Sequence, residues 1–218
     1  MISRSLPRGP PSLSEPVETP APVLYRGLKR VLDRAGADRA VVIVALVLLC
    51  FSLDTGRSAD DYVHELIARG SDAIPGFVRA PWDMYRFADK PFTELLMREG
   101  VLGWWEDPEA KLAFFRPLSA VTHVLDSRLW PNSGFLMHLH SLLWAALLYA
   151  GLLTLYRALV LPPFVATLAT FVYVFDDARG WIGSWVAARN AVIATALSVW
   201  ALVLHHRGRS SGKKLPTL

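Results

Sequence analysis

The sequence predicts an all-α polytopic membrane protein, with about four transmembrane helices and a long helical extracytoplasmic loop between the first and the second. Hydrophobic residues make up 53% of the 218-residue chain and charged residues only 19%, and the mean hydropathy of +0.32 is high for a soluble domain. The apolar residues are also gathered into separate blocks with Lys and Arg at their ends. That distribution is typical of membrane topology signals, and it disfavours a nucleic-acid-binding face despite the net charge of +4.

Two polar segments precede the first apolar block. Residues 1–23 are rich in Pro and Ser, which predicts a disordered cytoplasmic tail. Residues 24–39 (LYRGLKRVLDRAGADR) predict a short basic amphipathic helix that lies beside the membrane.

The first apolar block predicts a span over residues 40–54. The block itself, Ala40 to Leu53, has 14 residues, and a helix of that length is roughly 21 Å long, shorter than the roughly 30 Å hydrocarbon core. A signal peptide has an apolar stretch of this length. The polar segment before it is too long for a signal peptide, however, and no small-residue cleavage site follows. We therefore predict a signal anchor that stays in the membrane.

Three further apolar blocks predict spans over residues 135–156, 163–176 and 190–205. The second span, at roughly 33 Å of helix, is long enough to cross. The Pro residues at the start of the third block are typical of a helix start. A long outer loop, residues 55–134, separates the first two spans, and a basic tail, residues 207–218, follows the last.

The basic residues predict the orientation of the chain. Seven Lys or Arg precede the first span and four follow the last, and Arg157 lies between the second and third spans. With four spans, the positive-inside rule puts all of these on the cytoplasmic side. Both termini are then cytoplasmic, and residues 54–134, with 13 acidic and nine basic residues, lie outside. The expected location is the plasma membrane (the bacterial inner membrane), crossed several times.

This topology gathers polar residues at the outer face of the membrane. They are Asp60, Asp61, His64, Arg116, His123, His138, His140, Asp176, Asp177, Arg179 and Arg189. A carboxylate can act as general base for an acceptor hydroxyl, and an arginine can bind a lipid phosphate and stabilise charge as that phosphate leaves. A base and a phosphate-binding cation together are what sugar transfer from a polyprenyl-phosphate donor requires.

Three motifs in a fixed order carry a family resemblance. Asp60-Asp61 follows the first span, Phe115-Arg116-Pro117-Leu118 precedes the second, and Ala188-Arg189-Asn190 leads into the fourth. On this topology they resemble the N-terminal part of GT-C glycosyltransferases, in the branch of the protein O-mannosyltransferases and their relatives with tetratricopeptide repeats. The resemblance covers roughly residues 40–206 as a partial transmembrane domain.

The resemblance implies an integral membrane glycosyltransferase that transfers a sugar from a polyprenyl-phosphate-linked donor to an exported protein or glycan acceptor. Members of the family have more spans, so this chain corresponds to an N-terminal part, and its expected partners are the missing part or a partner subunit, and membrane lipids. No nucleotide-binding fingerprint is present, which fits a lipid-linked donor, and no nucleic acid is expected as a partner. The candidate catalytic residues are Asp60 and Asp61, and the candidate substrate-binding residues are Arg116, His64, His138 and Arg189.

Other interpretations of single residues stay open. Ser58-x-x-Asp61 is also a capping box, so Asp61 can serve only to start a helix, although the cap leaves Asp60 unexplained. Asp60, His64 and Glu65 could bind a divalent metal. Because no second cluster has ligand spacing, we predict no cofactor and no metal site.

Some alternatives concern other residues and the function as a whole. Arg116 could pair with a carboxylate of the outer loop, and His138 could be a polar residue at the membrane interface. The chain could also be a non-catalytic membrane subunit or a degenerate fragment of the same fold. A small transporter is the weakest alternative, because none of the four apolar blocks contains a charged residue.

Overall fold

A computed structural model describes residues 23–70, 80–159, 161–176 and 183–210 of the chain. Nearly all of the predicted N-terminal tail, the candidate residues Asp177 and Arg179, and the last part of the basic tail lie outside these described residues.

The described residues are mostly helical, as predicted. The main helices are α1 Val23–Leu32, α2 Ala37–Leu49, α3 Asp60–Arg69, α4 Lys90–Arg98, α5 Pro117–Leu129, α6 Gly134–Ala158, α7 Pro163–Val174 and α8 Arg189–Ser210. Short 3₁₀ turns occupy Cys50–Asp54, Pro81–Asp83 and Val186–Ala188. Two strands, β1 Arg86–Ala88 and β2 Leu112–Ala113, pair antiparallel within the predicted outer loop.

Two of the described helices are long and apolar enough to cross a membrane. They are Gly134–Ala158 and α8 with the turn before it, Val186–Ser210, at 25 residues each. Helix α1 and the segment Ala37–Asp54 form a third candidate if the pair, bent by 81°, counts as one span. Helix α7 is apolar but has only 12 residues. These helices indicate a membrane protein, with fewer clear spans in the described residues than the four predicted.

Contacts at the helix ends fix how α2 and α6 run. Near the start of α2 the Arg157 Nε donates to Asp38 Oδ2 at 2.8 Å. Beyond the end of α2 the Thr55 hydroxyl lies 3.3 Å from His138 Nε2. The two helices are therefore antiparallel. We call the end of the bundle where α6 begins the loop end, and the end where α6 finishes the tail end.

Helices α6 and α8 run in the same direction. The Arg189 guanidinium donates to the carbonyl of Met137 at 2.7 Å, and the Trp200 indole donates to the carbonyl of Leu147 at 2.9 Å. Gly151 permits this close packing, because a Cβ there would lie 3.0 Å from side-chain atoms of Trp200 and Val199. Small residues at helix crossings are typical of membrane helices, whose association depends on close packing.

The remaining bundle helix, α7, lies beside α2. The Thr167 hydroxyl donates to the carbonyl of Leu32 at 3.0 Å, just before α2, and Val174 packs in the core with Val42 and Ala45. Helix α7 thus starts at the tail end and runs along α2. The core that holds the bundle together consists of side chains from α2, α6, α7 and α8: Val42, Ala45, Ala145, Leu148, Tyr149, Leu152, Val174, Val192, Ala196 and Val199.

Helices α3, α4 and α5 form a separate small cap over the loop end. A second apolar cluster forms where Ile67, Leu95 and Ala120 of these helices pack with Met84 and Tyr85, which follow the turn Pro81–Asp83. Local signals define the ends of these helices: the Asp89 carboxylate accepts the Phe92 N–H at the start of α4, and Gly70 ends α3 in the left-handed region, φ 64°. The cap therefore brings the predicted outer loop down onto the starts of α6 and α8.

Candidate functional site

A cavity of about 310 Å³ lies between the cap and the start of α8 at the loop end. Its lining residues are Asp60, His64, Tyr85, Phe87, Arg116, Trp185, Ala187, Ala188, Asn190 and Ala191. Three of the six sequence-predicted site residues, Asp60, His64 and Arg116, line this cavity. The other three, Asp61, His138 and Arg189, are buried beside it and do not line it.

The two adjacent carboxylates have different surroundings. Asp60 lies half-buried at the cavity. Asp61 is buried, and its carboxylate accepts the N–H of Ser58 at 3.0 Å and that of Ala187 at 2.6 Å. Asp61 therefore accepts an N–H from the residues just before α3 and also ties α3 to the turn before α8. Burial raises the pKa of the Asp61 carboxyl, although the N–H groups that it accepts act in the opposite direction.

The backbone just before the two carboxylates is strained. Ala59 has φ 44° and ψ −117°, a region that residues with a Cβ rarely occupy. This conformation lies at the start of α3, just before the point where the two carboxylates take different directions. Asp60 lies at the cavity, and Asp61 binds the backbone of Ala187.

Arg116 supplies the cation of the cavity. It precedes Pro117, the first residue of α5, and its guanidinium carbon lies 4.4 Å from the ring centre of Phe114 and 5.0 Å from that of Tyr85. Stacking on aromatic faces holds a guanidinium while leaving its N–H groups available. Within the described parts of the chain, no carboxylate forms an ion pair with Arg116.

His64 is buried against the cavity with its hydrogen-bonding capacity unused. Its ring centre lies 4.8 Å from that of Tyr85 and 4.9 Å from that of His123. Neither ring nitrogen has a hydrogen-bond partner within the described residues. Burial, with the nearby positive charge of Arg116, lowers the pKa of His64 to about 4. The imidazole is therefore neutral at pH 7, with one donor and one acceptor.

Arg189 forms a buried charged network below the cavity. Its side chain is fully buried, and the guanidinium lies 2.6 Å from Asp126 Oδ2, donates to the Ser141 hydroxyl at 2.9 Å and donates to the Met137 carbonyl. Asp126 comes from α5, Ser141 and Met137 from α6, and Arg189 opens α8. The network therefore fixes the positions of three helices around the cavity.

Asp126 also orients His140. The indole N–H of Trp144 donates to His140 Nε2 at 3.2 Å, so that nitrogen is an acceptor and the proton of a neutral ring lies on Nδ1. His140 Nδ1 then donates to Asp126 Oδ1 at 2.6 Å. One carboxylate thus binds both a buried arginine and a histidine.

His138 is a candidate substrate-binding residue that does not line the cavity. Its Nε2 contacts the Gly56 carbonyl and the Thr55 hydroxyl, which ties the end of the first apolar segment to α6. In the structure His138 contacts the chain's own backbone rather than the cavity, and its assignment to substrate binding stays a prediction.

The predicted metal alternative gains no geometric support. Glu65 forms ion pairs with Arg57, at 2.7 Å, and with Arg69. Within the residues that the structure describes, no group of three or more His, Cys, Asp or Glu side chains is arranged to hold a metal ion.

The sequence did not single out Tyr85 and Asp126. The Tyr85 hydroxyl is buried between Ser119 Oγ, at 2.8 Å, and His123 Nε2, at 3.1 Å. Tyr85 lies in a polar stretch without a motif, and Asp126 is one acidic residue among 13 in that stretch. The one available signal was the spacing of His123 and Asp126, which puts both on one face of α5.

Comparisons of the chain with models of protein families, with curated proteins and with solved structures found no match. The resemblance to GT-C glycosyltransferases therefore rests on the ordered motifs of the sequence.

Proposed function

We propose that the chain carries the catalytic site of an integral membrane glycosyltransferase, or of its N-terminal part, that uses a polyprenyl-phosphate-linked sugar donor. One observation carries the proposal: Asp60 and Arg116 line the same cavity at the loop end. The Asp60 carboxylate is partly exposed, and Arg116 has no acidic partner among the described residues. Transfer of a sugar from a lipid phosphate to a hydroxyl needs both groups, one to accept the proton and one to hold the leaving phosphate.

Asp60 is the better base of the acidic pair. Asp61 uses both carboxylate oxygens for backbone N–H groups, whereas Asp60 lines the cavity, where an acceptor hydroxyl can approach. In the proposed reaction the acceptor oxygen attacks the anomeric carbon of the sugar, its proton moves to Asp60, and the bond to the phosphate breaks. The released lipid phosphate stays paired with Arg116.

His64 and the aromatic walls suit a sugar. A neutral imidazole with an unused donor and an unused acceptor can donate a hydrogen bond to a hydroxyl or accept one from it. It adds no second positive charge that would compete with Arg116 for the phosphate. Tyr85, Phe87 and Trp185 supply apolar surface for the C–H faces of a sugar ring. We assign His64 to hydroxyl recognition and Arg116 to phosphate recognition.

We further propose four membrane crossings, with the tail end in the cytoplasm. Two features support this: α2, α6, α7 and α8 alternate in direction, and the charge at the tail end is strongly positive. The described basic residues there are Arg26, Lys29, Arg30, Arg34, Arg39, Arg157, Arg207 and Arg209, against the acidic residues Asp33 and Asp38. Because α7 is only roughly 18 Å long, the proposed third crossing also includes Phe175 and Asp176, as in the predicted span over residues 163–176.

Thiol labelling tests this topology. In a Cys50→Ser background, which removes the single native cysteine, Glu106→Cys in the predicted outer loop should react with a membrane-impermeant thiol reagent in intact cells, and Ser12→Cys should not. Both should react after the membrane is permeabilised. Labelling of Ser12→Cys but not Glu106→Cys in intact cells would contradict the orientation and the location of the site.

Sugar transfer by membranes that contain the full chain, with any further subunit it requires, tests the catalytic assignment. Asp60→Asn should lower turnover by roughly 10²- to 10⁴-fold, the usual loss on removing a general base. Asp61→Asn should lower the amount of folded protein while the protein that remains keeps its turnover. Unchanged turnover in well-inserted Asp60→Asn protein would refute Asp60 as the base.

One observation favours a non-catalytic subunit as the second candidate. Asn190, which stands where the resembling family often has an acidic residue, is neutral, and its side chain donates to the Ala187 carbonyl at 2.7 Å. If no transfer is found with any partner, yet the chain co-purifies with an active transferase, this second function is the correct one.

A further inference from the structure

Helices α1 and α2 form an elbow at the tail end. The helices are bent by 81° at the turn that contains Gly36, whose φ of 84° lies in the left-handed region. Helix α7 packs into this angle, with the rings of Tyr25 and Phe164 at 5.8 Å and the hydrogen bond from Thr167 to the Leu32 carbonyl. If α2 crosses the membrane, an elbow of this angle directs α1 along the membrane surface.

The elbow contains an apolar groove of about 500 Å³. It is lined by Val31, Leu32, Arg34, Ala35, Gly36, Ala37, Ala40, Val41, Val44, Phe171 and Phe175. Arg34 is the only charged residue in this lining. The groove thus combines a hydrocarbon-like wall with a single cation.

Helix α1, next to the groove, also has an apolar side and a basic side. On a helical projection its apolar residues fall on one arc and Arg26, Lys29 and Arg30 fall on the other. No residue of α1 is buried, and Leu24 and Leu28 are 84% and 47% exposed. Such a helix is suited to the boundary between lipid head groups and acyl chains.

Two described acidic residues, Asp33 and Asp38, lie near Arg34 in the chain, and neither forms an ion pair with it. The nearest acidic residue of α2, Asp38, is already paired with Arg157 at 2.8 Å. Arg34 forms no ion pair with any other described residue. A ligand that matches this lining combines an apolar part with a negative charge.

We propose that the elbow binds an anionic phospholipid, with an acyl chain in the groove and its phosphate at Arg34. Basic residues at a membrane surface attract anionic lipids, and basic pockets between membrane helices bind their head groups. A zwitterionic lipid fills the groove equally well but gains less from the surrounding positive charge. The proposal is independent of the chemistry proposed at the loop end.

Native mass spectrometry of the full chain in detergent tests the proposal. The probes are phosphatidylglycerol and phosphatidylcholine with identical acyl chains. Wild type should retain phosphatidylglycerol in preference to phosphatidylcholine. Arg34→Gln should weaken phosphatidylglycerol binding about 5-fold, the equivalent of roughly 1 kcal/mol for one basic residue at a membrane surface.

A matched pair of controls separates a site from general attraction. Arg30→Gln removes the same charge from the basic face of α1, outside the groove lining, so its effect should be clearly smaller than that of Arg34→Gln. Ala40→Trp fills the groove without changing charge and should displace the lipid. Ala194→Trp, on an exposed face of α8, should not.

Four results would overturn the proposal. Equal retention of the two lipids by wild type would remove the charge preference. Equal losses in Arg30→Gln and Arg34→Gln, or no loss in folded Ala40→Trp, would show diffuse attraction without a site. If lipid binding appeared only after deletion of residues 2–22, the chain's own N-terminal segment would be the occupant of the groove.

Discussion

The two ends of the helix bundle each join helices through an arginine and an aspartate, but under opposite conditions. At the loop end Arg189 and Asp126 are completely buried, and each has further hydrogen-bond partners. At the tail end the side chain of Arg157 is 43% exposed and that of its ion-pair partner, Asp38, is 13% exposed. The same two residue types therefore form an enclosed network at one end and a partly exposed pair at the other.

This difference indicates what each end can do. A buried charge is tolerated only when its partners are complete and well placed, so the Arg189 network holds α5, α6 and α8 in one arrangement beneath the cavity. Such rigidity suits a site that must keep a base and a cation at fixed positions. The basic side chains of the tail end are largely exposed, so they can interact with the head groups of a lipid surface.

The largest expected effect comes from breaking the buried pair. Asp126→Asn keeps the shape of the side chain but leaves Arg189 buried without its countercharge, so we expect it to lower the free energy of unfolding by about 3–5 kcal/mol. Asp38→Asn, the matched change at the tail end, should cost at most about 1 kcal/mol. Denaturant unfolding in detergent measures both. Equal costs would contradict the contrast between the two ends.

A double substitution sharpens that test. Asp126→Leu with Arg189→Met removes both charges and should recover much of the stability that Asp126→Asn loses, because an apolar pair has no desolvation penalty. If the double variant is as unstable as the single one, the cost lies in lost packing and not in the unpaired charge.

The second effect is a loss of stability in acid. The unfolded chain binds a proton at His64 near pH 6.5, whereas the folded protein does so near pH 4, so the free energy of unfolding should fall as the pH drops from about 6.5 to 4. The slope is roughly 1.4 kcal/mol per pH unit for one histidine in this window. His123, whose pKa burial also lowers, contributes in the same direction.

His64→Phe isolates the contribution of His64. The variant keeps an aromatic ring against Tyr85 and His123 but does not titrate. Unfolding midpoints measured from pH 7 to 4 should show a shallower fall for the variant than for wild type. Parallel curves would mean that His64 takes up no proton on unfolding.

A smaller effect is expected at Asp61. Asn can accept only one of the two backbone N–H groups that the carboxylate holds, so Asp61→Asn should cost about 1–3 kcal/mol of stability. Asp54→Asn, an exposed change in the preceding turn, is the control and should be nearly neutral. A neutral Asp61→Asn would show that the tie between α3 and the turn before α8 is not needed.

The smallest effect is expected at Ala59. Because φ of 44° is unfavourable for a residue with a Cβ, Ala59→Gly should stabilise the protein by up to about 1 kcal/mol. Thermal unfolding in detergent measures the change. Clear destabilisation by glycine would show that the backbone there does not hold this strained conformation.

The apolar pattern of the sequence predicted where the helices of the bundle lie, because long hydrophobic blocks have few structural options in a membrane, but only two of these described helices are long and apolar enough to cross on their own. The block Phe135 to Tyr156 corresponds closely to α6, Gly134–Ala158. Boundaries were less accurate where charged residues continue a helix: α8 extends through Arg207 and Arg209, which were predicted to belong to a basic tail.

The candidate site was predictable only in part. Asp60 and Arg116 were proposed from motifs and His64 from the predicted topology, and the structure brings all three to one cavity. The burial of Asp61 and the pairing of Asp126 with Arg189 depend on how α5 and the turn before α8 pack. These contacts join residues more than 60 positions apart in the chain, so no local sequence pattern predicts them.

The central claim is that Asp60 acts as the base and Arg116 as the phosphate ligand in one cavity. Binding of the lipid donor tests this claim most directly. Binding of a polyprenyl phosphate to the purified full chain should be weakened by Arg116→Ala and nearly unchanged by Asp60→Asn, because in the proposed site only the cation contacts the phosphate. Arg98→Ala, an exposed arginine of the cap away from the cavity lining, is the control and should bind as wild type does. Equal binding by wild type and folded Arg116→Ala would contradict the account, since the cavity would then hold no phosphate site.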